Sequence, residues 1–494
     1  MYKKFCFLSS VFLPESRMSG GSIFDTMSNK VAVKTEGAKG MDSKTERKSY
    51  AIKPEWGKQY PRISHGKGIY LYEESGKRYM DACSGAVTVS IGHAMDEVVD
   101  AMRQQAEKVS FAYRSHFSSE AVEELADILA AWAPGNVNWS FFVSSGSEAT
   151  ETAQKIAIQY WQEQGRMTKN RILSRWMSYH GITMGALSMS GHVLRRKRFV
   201  PLLADYPCIS APYPYRNQQG LDSDAYARQA ADELEAAIIR TGAENVAAFI
   251  AEPIIGASGG AVVPPDGYFA RIREICTKHQ ILFIADEVMT GVGRTGKNFG
   301  IDHWQVTPDV MTLGKGMSSG YTPMAATMVS DSIMQTIAEG SGSIMAGHTY
   351  SANPQSAAIC VSVIRYIQQH QLVKKAEENG KYLLQHLKQI EQEFDIVGEA
   401  RGKGLLCGIE FVKNKLTKEP FALSHQVTNR MIQRAFAKGL MIYPAIGGLD
   451  GVAGDAVIIS PPLIIEQHEI DELIHLLRQT LQEAQAEFKK EGIW

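Results

Sequence analysis

The chain has 494 residues, enough for two or more substructures around a sizeable core. Its 44% hydrophobic and 21% charged residues are the balance of a soluble globular protein, and no apolar run approaches the ~20 residues of a membrane span. A formal net charge of -1 leaves no basic field for nucleic acid or an anionic membrane surface.

Residues 1–48 mix Ser, Gly, Lys, Thr and Glu without periodicity and read as a disordered N-terminal extension, with Met18, Met27 and Met41 as alternative starts. Met1-Tyr2-Lys3-Lys4 before Phe5–Leu13 has the outline of a signal peptide. Its apolar stretch is short, broken by Ser9-Ser10, and lacks a clear cleavage site. Six cysteines (Cys6, Cys83, Cys208, Cys276, Cys360, Cys407) show no CxxC and no ligand spacing. They argue against a disulfide framework or a metal site and for a reducing, cytoplasmic setting.

Two alternating runs around Gly76, from Gly68 to Asp81, predict a hairpin. Helical spacing covers 120–132 and 147–164. Short apolar runs at 139–143, 246–251, 281–285 and 324–329 predict strands between helices, hence an α/β layer with a largely parallel sheet. From about 355 a long helix (355–393), strands at 404–411 and 457–460 and a closing helix (466–490) read as a smaller α+β domain.

Lys315 lies in Gly314-Lys315-Gly316, poorly placed to pack a core and well placed to meet a carbonyl carbon. Upstream, the apolar run Ile281–Ala285 ends in Asp286-Glu287, and a carboxylate at the end of a buried strand is costly unless a cation needs it. Pyridoxal phosphate supplies both needs, an aldehyde for a lysine and a ring nitrogen for an Asp. Ser145-Gly146-Ser147-Glu148 follows a strand and opens a helix with capping-box spacing, an end that attracts a phosphate. Tyr179-His180-Gly181 sets a flat aromatic beside a glycine. Glu252-Pro253 ends another strand. Gly291-Val292-Gly293-Arg294-Thr295-Gly296 is literally GxGxxG, but Asp286-Glu287 separates it from its strand and no helix start follows, so a dinucleotide site is rejected.

From about residue 55 to 490 the chain resembles the class III, or omega, aminotransferases of pyridoxal-phosphate fold type I. The resemblance rests on Ser145–Ala149, Tyr179-His180-Gly181, Glu252-Pro253, Ala285–Val288, Gly293–Gly296, Gly314–Gly316 and Gly347–Ser351. It implies a large domain over 99–348 with a mostly parallel central sheet flanked by helices. A smaller α+β domain would form from both ends, 49–98 and 349–494. It also implies catalytic roles for Lys315, as the Schiff-base lysine and proton carrier, and for Asp286, on the pyridine nitrogen. Tyr179 and Val288 would face the ring. Ser145, Gly146 and Ser147 would hold the phosphate, with His180 and Glu252 beside the cofactor. Thr349 would reach the phosphate from the neighbouring subunit, making a homodimer with shared sites. The implied reaction moves an amino group from an amine or amino acid to pyruvate or 2-oxoglutarate through a pyridoxamine form. An aminomutase, racemase or phospholyase would use the same constellation, and a non-catalytic scaffold is a further alternative.

The substrate side departs from the pattern. Ile182 stands where relatives that use 2-oxoglutarate tend to carry Arg, and Val87 where amine–pyruvate enzymes usually show Trp. No Arg lies between Arg434 and Pro461, where a mobile one is usual. Val87 is expected to line the substrate site, and Arg114 and Arg401 become the candidates for the substrate carboxylate.

Overall fold

The computed structural model describes residues 50–449 and 451–494. The expectations for residues 1–48, the alternative starts included, lie outside the described residues. Residues 50–60 contain no helix or strand. Residues 61–494 form one compact unit.

A seven-stranded sheet organises that unit. Its order is Trp139–Val143, Ala325–Val329, Val310–Leu313, Leu282–Asp286, Val246–Ala251, Arg171–Arg175 and Pro207–Ile209. Ala325–Val329 runs antiparallel to both neighbours, and every other pair is parallel. The central strands read as continuous apolar runs because both faces are covered, and every residue of Val246–Ala251, Leu282–Asp286 and Val310–Leu313 is buried. The predicted α/β layer is therefore present, with helices such as Gly146–Glu163, Ser223–Thr241 and Tyr268–Lys278 between the strands. Among the described residues, no helix is long and apolar enough to cross a membrane.

Two four-stranded sheets are built from residues outside 99–348. One contains Ile63–Lys67, Tyr70–Glu73, Arg78–Asp81 and Leu440–Met441, with Met80 and Asp81 paired in parallel to Leu440 and Met441. That pairing joins the two ends of the chain. The expected hairpin is its middle pair, extended by a strand at 63–67. The other sheet takes Val397–Lys403, Leu406–Phe411, Ala453–Ile459 and Tyr443–Leu449.

The long helix expected over 355–393 is two helices, Pro354–Gln369 and Leu372–Glu393. Gln371 takes φ +51°, so the chain turns while Ile367 and Leu372 on either side stay buried. Neither Gly nor Pro marks the break, and the apolar periodicity runs across it.

Gly380, in the middle of the second helix, packs directly on the backbone of Gly404, and a Cβ there would overlap that backbone. In an exposed helix Ala is better than Gly by ~1 kcal/mol. Here overpacking against main chain costs ~1–3 kcal/mol and wins. Gly380→Ala should lower the melting temperature. A rise would show that the helix and the 404 turn are not in contact.

Candidate active site

The parallel strands deliver the site. Asp286 ends Leu282–Asp286, Glu252 follows Val246–Ala251, Tyr179 follows Arg171–Arg175, and Lys315 follows Val310–Leu313. All stand at carboxyl ends of strands, where open α/β sheets place their ligands. They surround a cavity of about 170 Å³. Lys315, Asp286, Glu252 and Val288 line it, with Tyr179 and His180 beside them and Ser145, Gly146 and Ser147 at the helix start. Nine residues from five separate stretches of the chain thus line one cavity.

Asp286 is 4% exposed. One carboxylate oxygen meets His180 Nδ1 at 2.7 Å; the other accepts from Thr312 Oγ1 at 2.9 Å and from the Val288 N–H at 3.2 Å. A carboxylate has no proton to give, so the imidazole proton on that edge sits at Nδ1. His180 is held in turn: its N–H donates to Ser190 Oγ at 2.8 Å and its carbonyl accepts from Thr150 Oγ1 at 2.7 Å. The sequence reading set His180 beside the cofactor; in the structure its hydrogen-bond partner is Asp286. Thr312 was not singled out. It lies directly opposite Asp286 in the parallel register, a pairing that spacing along the chain does not reveal.

Lys315 takes φ +42°, a left-handed conformation costly for a side chain and found at functional sites. Burial pushes its amine down to about 8. Asp286 and Glu252 pull the other way, and the charges of Arg195 and Arg294 add to the depression. Arg294, in the GxGxxG stretch, is 2% exposed and donates to the Pro461 carbonyl at 2.5 Å and to Ser84 Oγ at 3.2 Å. That stretch therefore carries a structural arginine, and no α-helix follows it.

Glu252 is buried, which raises its carboxyl. Its oxygens accept from the N–H groups of Tyr179 and Gly256, both at 3.1 Å, fixing the aromatic at the cavity wall. Ser145 Oγ caps the helix by accepting from the Glu148 N–H at 3.2 Å, and the Glu148 carboxylate accepts from the Ser144 N–H at 2.7 Å. The first-turn N–H groups of Gly146 and Ser147 have no helical acceptor and form the positive end of the helix dipole. A Cβ on Gly146 would fall 2.9 Å from Val288 Cγ1, so the helix start, Val288 and the lysine loop are in contact around one small space. Ser147 Oγ accepts from the Ile182 N–H at 3.0 Å, leaving the Ile182 side chain exposed.

Three expected residues are not brought to this cavity, and Thr349, expected at the neighbouring subunit's site, lies outside it as well. Val87 is 2% exposed and belongs to the apolar core, and its side chain does not line the cavity. Arg401 is corrected too: its Nε donates to the Gly260 carbonyl at 2.9 Å, its Nη1 to Glu399 at 2.6 Å and Glu410 at 2.8 Å, and its Nη2 to the Gly259 carbonyl at 2.5 Å. Every nitrogen is engaged in tying the 259–260 loop to the sheet. Arg114 lies over the Phe141 ring at 4.7 Å, donates to the Ala346 carbonyl at 2.9 Å, and lines a separate groove of about 650 Å³. Thr349 is exposed on its own chain, away from the cavity.

The surroundings of the chain among known proteins agree with this geometry. The family model Aminotransferase class-III matches residues 53–481. The aminotransferase YodT of Bacillus subtilis, itself uncharacterized, is 51% identical over 90% of this chain and 100% of its own length. The putrescine–pyruvate aminotransferase of Pseudomonas aeruginosa is 38% identical, over 86% of this chain and 91% of that protein. Among solved structures, the (S)-enantioselective omega-transaminase of Thermomicrobium roseum superposes with a TM-score of 0.81 at 38% identity, covering 86% of this chain and 93% of that one. The omega-transaminase of Pseudomonas jessenii in complex with PMP gives 0.81 at 33% identity, covering 86% and 93%. A lysine and an aspartate that meet at the ends of parallel strands, in a chain matched over most of its length, make this protein a member of the class III aminotransferases, which are pyridoxal-phosphate enzymes.

Proposed function

We propose that the enzyme moves an amino group from an amine or amino acid to a keto acid, pyruvate or 2-oxoglutarate, with pyridoxal 5'-phosphate held in the Lys315 cavity. One observation carries the reading: an amine lowered to about 8 shares a small cavity with a carboxylate that two side chains hold in place. When bound, pyridoxal phosphate supplies an aldehyde for the lysine and a protonated ring that takes up the electrons of a substrate carbanion.

The residues present fit that group. Asp286, oriented by His180 and Thr312, would hold the proton on the ring nitrogen. Tyr179 and Val288 would flank the ring. The free N–H groups of Gly146 and Ser147, with Ser145 at the cap, would receive the phosphate. Lys315 would be both the attachment point and the base. With its amine near 8, a substantial fraction is neutral near physiological pH, and that neutral amine would take the proton from the substrate carbon and return it elsewhere. Glu252 holds Tyr179 by its backbone.

We read the enzyme as a homodimer with shared sites. In support, segments 111–118 and 345–350 lie together, with the Phe111 and Tyr350 rings 5.9 Å apart, and they expose Phe117, Met345 and Tyr350. Thr349 belongs to that patch and would reach the phosphate of the neighbouring subunit's site. Five cysteines are free among the described residues, which supports a cytoplasmic setting.

Turnover of an amine by the loaded enzyme should require a keto acid in stoichiometric amount, measured as amino product per donor consumed. Product formation from one substrate alone would favour an aminomutase, racemase or phospholyase. Lys315→Ala should abolish transfer while leaving the fold intact by circular dichroism; full activity would remove Lys315 from the chemistry. Asp286→Asn should keep cofactor bound and lose most of the rate. A charge-assisted hydrogen bond of ~2–3 kcal/mol in the transition state is worth roughly thirty- to a hundred-and-fifty-fold. Near-normal turnover with cofactor bound would show that Asp286 is not the ring's partner.

A further inference from the structure

The carboxylate of a keto acid needs a cation with free donors at the cavity, and the usual suppliers are missing from this chain. Ile182 offers a side chain without charge. The hairpin of Tyr443–Leu449 and Ala453–Ile459 carries no arginine. That hairpin nevertheless rests on something informative: Gly451 at its turn packs against Val193. Val193 opens the short segment Val193-Leu194-Arg195-Arg196.

The two arginines of that segment are unlike each other. Arg196 is 7% exposed, and its Nη1 donates to the carbonyls of Leu187, Ser188 and Ser190 at 2.8–2.9 Å. It is structural. Arg195 is half-buried, and its guanidinium carbon lies 4.2 Å from the centroid of the Tyr179 ring. No carboxylate among the described residues forms an ion pair with it. Lying over an aromatic ring uses a guanidinium's face and leaves its edge, where the N–H groups point, open to a second partner. A carboxylate is the partner that this fork fits best. Tyr179 lines the Lys315 cavity, so the guanidinium over its ring sits at that cavity's aromatic wall, and its charge adds to the depression of the Lys315 amine.

We propose that Arg195 receives the carboxylate of the keto acid and of amino-acid donors, through a guanidinium anchored on Tyr179. The proposal rests on the aminotransferase reading. It also moves the role away from Arg401, whose donors are spent, and from Arg114, whose guanidinium lies over Phe141 beside a different groove.

Two measurements separate the proposal from the reading it rests on. Keto-acid-dependent turnover by the wild-type enzyme tests the reading alone. The proposal is read from binding: propionate, a carboxylate that cannot exchange an amino group, is titrated calorimetrically into the loaded wild-type enzyme and into Arg195→Ala, Arg195→Lys and Arg114→Ala. Propionate should bind the wild type and weaken at least tenfold in Arg195→Ala. Arg195→Lys, which keeps the charge and loses the fork, should fall between. In the half-reactions, the loss in Arg195→Ala should be at least tenfold larger for a keto acid than for an amine without a carboxylate. Since Arg195 also acts on Lys315, the ratio is the readout. Failure of the wild type to bind propionate, unchanged binding in Arg195→Ala, equal losses on both substrates, or a tenfold loss in Arg114→Ala instead would each overturn the proposal.

Discussion

The contact between Asp286 and His180 is the constraint on which the site turns. A carboxylate buried to 4% exposure at the end of a central strand would be costly alone. Here an imidazole, a hydroxyl and a backbone N–H hold it, from three separate elements. Those partners fix where the charge sits, and the charge fixes what else the cavity tolerates. Lys315 faces it from the next strand with an amine that burial has driven down to about 8. The opposed pulls on that amine, from burial and two arginines on one side and two carboxylates on the other, leave it able to switch protonation near neutral pH.

The adjacent residue shows how strand alternation divides the work. Asp286 faces the cavity, and Glu287 faces the other way, into the protein. There it accepts from Thr290 Oγ1 at 2.5 Å and from the N–H groups of Gly300 and Ile301 at 2.8 and 2.7 Å, closing the turn that follows the glycine-rich stretch. Burial pushes its carboxyl up to about 7. One dipeptide thus supplies a group for chemistry and a group for architecture. Arg294, held by carbonyl and hydroxyl oxygens from segments 84 and 461, ties the same stretch to both ends of the chain.

Much of this was legible in the sequence because the chemistry sits where local patterns end. Short apolar runs stopping at Asp286, a glycine-bordered lysine and a capping box at Ser145 are features of a few consecutive residues, and the parallel sheet brings their ends together. What failed depended on packing at a distance. Arg401 looks like a substrate arginine until the fold surrounds it with Glu399, Glu410 and two carbonyls. Val87 occupies the right stretch of chain but points into the core. Arg195 gives no local signal: Arg195-Arg196-Lys197-Arg198 is four cations in a row, and nothing in their spacing tells which guanidinium lies over Tyr179. The break at Gln371 escaped for a similar reason: the left-handed turn is taken by a residue that gives no local signal.

Everything in the proposed chemistry passes through Lys315 as the residue that would hold the cofactor. The most direct measurement is to reduce the loaded enzyme with borohydride, digest it, and locate the pyridoxyl-modified peptide by mass spectrometry. The account predicts a single modified lysine, in the peptide containing Gly314-Lys315-Gly316. Modification at any other lysine, or a loaded enzyme that borohydride leaves unmarked, would contradict it.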